Sequence, residues 1–217
     1  MKTIKDLEKE EDIMAIFNDI EILLQYIETN QEFLDAFTQF LDDEQKLEVI
    51  RKDYFKRQST YLKRDAIMSI KDNSIKKEIM QDISIIEDTF NKWNLIEFIE
   101  TMDDEDKLQV LNNRGLLEKV KIELFDIKNI IVSIQDDEIK SMYVEKYDFN
   151  SYQKLDIYKA FGEENKKRII LDDEKSFKKY EIIQLINSLS IVGKVDFLKT
   201  EKVFLEIKNL QMYDIVK

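Results

Sequence analysis

The sequence predicts an all-α fold, a right-handed α/α solenoid of about six short helix pairs behind an N-terminal helical cap. Three observations carry that expectation. The chain of 217 residues has no Pro and only three Gly (Gly115, Gly162 and Gly193), so the residues that punctuate strands and tight turns are nearly missing. Apolar residues recur at spacings of three and four, the period of a helix with one buried face. One short phrase also returns six times along the chain, as it does in stacked-repeat proteins.

Residues 1–41 do not carry the phrase and read as a capping element. Ile13, Ile16, Phe17, Ile20, Leu23, Leu24 and Ile27 draw one apolar stripe, predicting a helix of about twenty residues. A second helix follows, with Phe33, Leu34, Phe37, Phe40 and Leu41 on its buried side. The end units of a stack cover apolar surface that no neighbour covers, which is why they depart from the repeat. The competing reading makes residues 8–28 a coiled-coil or dimer helix.

The phrase has an acidic or small polar residue at its start, a Lys four positions later, and a large apolar pair seven and eight positions on. It runs Asp42, Lys46, Val49 and Ile50; Asp72, Lys76, Ile79 and Met80; Asp103, Lys107, Val110 and Leu111; Asp136, Lys140, Tyr143 and Val144; Gly162, Lys166, Ile169 and Ile170; Ser190, Lys194, Phe197 and Leu198. The starts at 42, 72, 103, 136, 162 and 190 lie 30, 31, 33, 26 and 28 residues apart. An Asp at the start suits a helix N-cap, and the acid after it faces the positive end of the helix dipole. The apolar pair points to the core and the Lys is expected to face water. Five positions before each start stands a bulky apolar residue: Phe37, Ile67, Phe98, Ile131, Ile157 or Leu185. A second apolar periodicity ends just before each cap, so each unit reads as helix, short turn, helix. Repeats then fill residues 42–214, and with no linker or low-complexity stretch the chain reads as a single domain, 1–217.

Composition removes several function classes. There is no His and no Cys, so the usual general base, the thiol nucleophile and the commonest transition-metal ligands are missing. The pairs Asp42–Asp43, Asp103–Asp104, Asp136–Asp137 and Asp172–Asp173 invite a metal or acid–base reading, but their recurrence at helix starts is what capping demands. No EF-hand loop, no Gly-rich phosphate loop and no Glu-x-x-His pair is present. The expectation is therefore no enzyme, no catalytic residue, no metal and no cofactor. The N-terminus lacks the apolar run of a signal peptide, no stretch reaches the length of a membrane span, and with no Cys the chain reads as cytoplasmic. Lys outnumbers Arg 29 to 5, a bias common in low-GC bacteria and their phages.

A formal charge of −12 and a pI near 4.7 repel a polyanion, so direct binding to nucleic acid is not expected despite local basic runs at residues 51–64 and 166–179. Protein binding is the expected role, because stacked helices present extended surfaces. Within the aromatic-rich stretch 143–161, Tyr143, Tyr152 and Phe161 are assigned to the core, leaving Tyr147 and Phe149 as interface candidates together with Tyr54 and Phe55. The acidic excess suits a small phage- or mobile-element-encoded inhibitor that competes for the basic groove of a nucleic-acid-handling defence enzyme, of the anti-CRISPR kind. A structural homo-oligomer built through residues 8–28, or an adaptor or scaffold, is the second reading.

In its repeated Asp-Asp-Glu-x-Lys phrase and apolar pair, the chain resembles HEAT-like and related α/α solenoids over residues 42 to 214. The units are shorter than the usual HEAT unit and lack its regularly placed Pro and Arg, and Trp93 is the only Trp, so the tetratricopeptide pattern is missing as well. The resemblance implies antiparallel helix pairs stacked side by side and an adaptor, scaffold or inhibitor role, and it transfers no site residue.

Overall fold

The computed structural model describes residues 4–8, 10, 12–172, 177–208 and 210. Asp173 and residues 211–214 of the last expected repeat lie outside the described residues. Among the described residues the chain forms nineteen helices and no strand, and no helix is long and apolar enough to cross a membrane. It divides into two compact units, residues 1–121 and 122–217. Lys121, at the end of the first, has φ 56°, the only positive φ among the described non-glycine residues. Its N–H closes the end of the helix Arg114–Lys119 on the Glu118 carbonyl, a place where many chains put Gly to avoid the steric cost.

The first unit begins with a correction. The apolar stripe of residues 13–27 is not one helix of about twenty residues but two short ones, Ile13–Asn18 and Ile20–Leu23. Asp19 breaks it: the Asp19 carboxylate accepts from the N–H groups of Glu21 and Ile22, which caps the second helix and leaves Asp19 itself extended. The stripe still packs, with Ile16, Phe17, Leu23 and Ile27 buried, but Leu24 is exposed and no continuous helix exists here for a coiled coil. Phe17 meets Phe33 edge-on at 5.9 Å, and Phe33, Phe37 and Phe55 lie within 6.2 Å of one another, an aromatic core beneath the first helices.

The helix-turn-helix reading of the phrase is what the chain adopts. Six entry helices, Asn30–Phe40, Thr60–Met68, Lys92–Glu100, Leu124–Ser133, Ser151–Lys159 and Lys179–Asn187, each precede a phrase helix. The phrase helices are Asp43–Ile50, Asn73–Gln81, Asp104–Asn112, Asp137–Lys146, Glu163–Leu171 and Ile191–Thr200. Every start residue is the N-cap, and all except Gly162 accept a backbone N–H with the side chain. The six apolar residues five positions earlier are all fully buried, as are the apolar pairs apart from half-buried Leu198. Unequal spacing has a local cause: a third short helix (Asp53–Lys56, Ile83–Thr89 or Arg114–Lys119) follows each of the first three phrase helices, whereas Asp137–Lys146 runs through four loop residues into Ser151–Lys159.

The phrase Lys is where the expectation fails. Lys46, Lys76, Lys107, Lys140 and Lys166 are buried, and Lys194 is half-buried. The five buried stems lie among the packed helices and deliver their ammonium groups to oxygen atoms. Lys76, Lys140 and Lys166 donate to the carbonyls of Thr101, Ala160 and Ser188 at 2.9, 2.6 and 3.0 Å. Those carbonyls are the C-caps of the next entry helices, where unpaired acceptors and the negative dipole end favour a cation. The residue after the N-cap works beside the Lys. Asp43 accepts from the N–H groups of Lys71 and Asp72 at 2.8 and 2.7 Å, Asp137 from Gly162 N–H at 2.7 Å, and Glu163 from Ser190 N–H at 2.6 Å. Asp43 and Asp137 also pair with the Lys of their own phrase, at 2.8 and 3.0 Å. In the second phrase this position is Asn73, whose amide instead donates to the Asp103 carboxylate at 3.2 Å. Gly193 leaves room for the same grip, since a Cβ there would stand 2.5 Å from the Glu163 carboxylate.

Charge follows this geometry. Burial pushes the Asp43 and Asp137 carboxyls up, but their Lys partners and the N–H donors outweigh it and hold both below the ordinary 3.8. Burial pushes Lys76 and Lys166 down, opposed in part by the neighbouring carboxylates. A carboxyl held below its unfolded value stabilises the fold above that value, and the contribution is lost as pH falls through it. Asp137→Asn is therefore expected to lower the urea midpoint at pH 7 and to flatten its decline below about pH 4. Lys140→Ala should cost about 2–4 kcal/mol by urea unfolding, because it removes a buried stem and strands the Ala160 carbonyl; Lys140→Met should recover part of that by keeping the packing.

Candidate protein-interaction surface

Of the four residues that the sequence offered for an interface, two are buried and two are half-buried. Phe55 is in the Phe33–Phe37 cluster and Phe149 is buried, so neither ring faces a partner. Both lie just outside a phrase, where linkers fold back onto the core instead of projecting. Tyr54 is half-buried and its hydroxyl donates to the Phe17 carbonyl at 2.7 Å, with burial pushing the phenol up. Tyr147 is half-buried between Tyr143 at 6.2 Å and Phe149 at 5.7 Å, with the Lys146 ammonium over its ring. Tyr143 and Phe161 are core residues, as expected, whereas Tyr152 is not.

Tyr152 belongs to a row that the sequence reading missed. The second residue of each entry helix after the first is an aromatic: Tyr61, Trp93, Phe125, Tyr152 and Tyr180. These side chains are 75, 61, 50, 68 and 37 % exposed, so every one faces outward from its helix. In the second unit the helices Leu124–Ser133, Ser151–Lys159 and Lys179–Asn187 pack in sequence, and the rings of Tyr152 and Tyr180 come within 6.4 Å. The signal was present as an aromatic ten or eleven positions before each phrase start from the second onward. It is hidden because the reading aligned apolar residues on the buried face, and a ring on the opposite face has the same letter.

One turn after each ring stands a side-chain oxygen acceptor: Asp65, Glu97, Asn129, Asp156 and Gln184. Cations of the chain already use such places. The Arg64 guanidinium lies over Tyr61 at 5.7 Å while bonding Asp65 at 2.6 Å, and Lys128 lies over Phe125 at 4.6 Å while reaching Asp156 at 3.4 Å. Lys92 stands over Trp93 at 5.1 Å.

The acid pairs are capping groups. Asp42, Asp103 and Asp136 are N-caps, Asp43 and Asp137 hold the next turn, and Asp172 ends the helix Glu163–Leu171. Among the described residues no cluster of three acidic side chains could hold a metal ion. A cavity of about 270 Å³ in the first unit is lined by Ile50, Phe55, Ile85 and Thr89, with the Lys63 ammonium held there by Asp88 at 2.6 Å and the Lys56 carbonyl at 3.1 Å.

The negative charge is concentrated in the first unit. Residues 1–121 hold 18 basic and 28 acidic side chains, a net −10, while residues 122–217 hold 16 and 18, a net −2. From Glu10 to Gln45 there are eleven carboxylates and no Lys or Arg.

No family model, curated protein or solved structure matches the chain. The likeness to HEAT-type proteins therefore rests on the many short helices alone. Because the aromatic row faces outward, Tyr61→Ala and Tyr152→Ala should each move unfolding stability by no more than about 0.5 kcal/mol, whereas Phe55→Ala should cost about 3–5 kcal/mol; chemical denaturation of the purified variants checks both.

Proposed function

We propose that this chain is a non-catalytic protein-binding module of helical-repeat type, a right-handed α/α solenoid of about six helix pairs. Its partner is a basic nucleic-acid-handling enzyme, and the module acts as a small acidic inhibitor of the kind that phages and mobile elements direct against bacterial defence systems of the CRISPR type. The observation that carries this reading is the run from Glu10 to Gln45, eleven carboxylates without one basic residue, on short helices at one end of the sequence. Asp12, Asp19, Glu21, Glu28, Asp35, Asp42 and Glu44 are exposed there, so the field reaches solvent. A surface of that sign attracts a groove built to hold phosphate and repels nucleic acid itself.

The test is binding of the purified protein to a CRISPR-type nuclease at low and high salt, with target cleavage followed in parallel. Binding that weakens at least about tenfold as salt rises, together with slower cleavage, supports the reading. Salt-independent binding, or no binding to any basic nuclease tried, overturns it.

A further inference from the structure

We infer that the cavity lined by Ile50, Phe55, Lys63 and Thr89 in the first unit is a binding site for a small monocarboxylate with an apolar alkyl or aryl body. Its walls come from the end of the phrase helix Asp43–Ile50, the entry helix Thr60–Met68 and two of the inserted short helices, Asp53–Lys56 and Ile83–Thr89. Ile50, Phe55 and Ile85 are more than nine-tenths buried and give the cavity apolar sides. Its volume of about 270 Å³ suits a ligand of roughly ten non-hydrogen atoms.

Two donors on the lining have capacity that the fold leaves unused. Thr89 is 2 % exposed, and its hydroxyl has no hydrogen-bond partner among the described residues. A helical Thr ordinarily donates to the carbonyl one turn back, as Thr38 does to Leu34 at 2.8 Å and Thr200 to Asp196 at 3.0 Å. Thr89 makes no such bond. A buried hydroxyl without a partner costs stability, so the fold gains nothing from it, whereas a ligand that accepts from it does. Lys63, 4 % exposed, spends two N–H groups on the Asp88 carboxylate at 2.6 Å and the Lys56 carbonyl at 3.1 Å. An ammonium has three, so one is left. Both groups donate, and a carboxylate brings an oxygen for each. Charge selects the same ligand: the charged lining residues are Lys56, Lys63 and Asp88, two cations and one anion, and Lys56 is held only at 3.8 Å by the exposed Asp53. Acids elsewhere in the first unit are screened beyond about 10 Å. The site is separate from the acidic run at residues 10–45 and does not depend on the protein-binding reading.

The experiment titrates the full chain with phenylacetate and hexanoate by isothermal calorimetry, with phenethylamine as a cation of matching size. The expected result is saturable one-to-one binding of a carboxylate with a Kd of about 1 mM or tighter, and binding of the amine at least about tenfold weaker. Thr89→Val removes the hydroxyl and keeps the shape. It should weaken the carboxylate by about fivefold or more while leaving the urea midpoint unchanged or raised, because no bond within the chain is lost. Lys63→Met, which keeps the buried stem, should weaken it by about the same factor or more. Ile85→Phe fills the cavity and should abolish binding with the helical circular dichroism unchanged. Failure of both carboxylates to saturate by about 10 mM, equal binding of the amine, or undiminished binding by any of the three variants would each overturn the site. A fall in the urea midpoint of Thr89→Val would overturn it as well, since it would show the hydroxyl already satisfied by the fold.

Discussion

The phrase lysine, buried in five of the six phrases, is the constraint on which the packing depends. An ammonium inside a helical protein is costly unless oxygen atoms meet it, and for Lys76, Lys140 and Lys166 they belong to a different helix pair. Lys76, Lys140 and Lys166 hold the carbonyl end of the next entry helix, and Asp43, Asp137 and Glu163 hold the N–H at the start of the next phrase helix. Both grips close on the same turn: Asp137 and Lys140 of one phrase, for instance, bind Gly162 and Ala160, two residues apart. The neighbour thus supplies both the cation and the anion that the ends of two antiparallel helices lack. This is why the turns need neither Pro nor, apart from Gly162, a Gly: what fixes them comes from the phrase before.

A grip on the turn also explains what may vary. The segment after each phrase helix lies outside the gripped turn, so its length is free to change without breaking the register of Lys, acid and turn. The first three such segments fold into short helices and the fourth does not, and the phrase spacing ranges from 26 to 33 accordingly. Even so, those segments are not idle surface. Phe55 and Ile86 come from them and are buried, so each inserted helix brings its own contribution to the core.

Much of this was legible in the chain because capping and burial leave strong marks. The N-cap Asp residues, the apolar pairs and the residue five before each start could be read from spacing alone, and each stands where that spacing puts it. Three kinds of feature were not legible. Lys140 carries the letter of a surface residue, and only the coordinates show an acceptor from another helix pair waiting for it. Asp19 sits inside an unbroken apolar stripe, where nothing local says that its carboxylate would cap residues 21 and 22 instead of facing water. Tyr152 is exposed and Phe149 buried, the reverse of what the sequence predicts, because an aromatic letter is silent on which side of the helix it falls and only its distance from the phrase start marks the outward ring.

The net −12 adds two populations with different work. The Lys and acids of the phrase turns are matched to each other and to helix ends, so they contribute little field outside the molecule however many there are. The eleven carboxylates from Glu10 to Gln45 have no basic residue among them, although Asp12, Asp19, Glu32 and Asp42 cap helix starts, and the outward rings sit on the entry helices that follow. The interior ladder gains nothing from the exposed Trp93: a chain selected only to fold would keep Lys140 and Asp137 and could dispense with that ring.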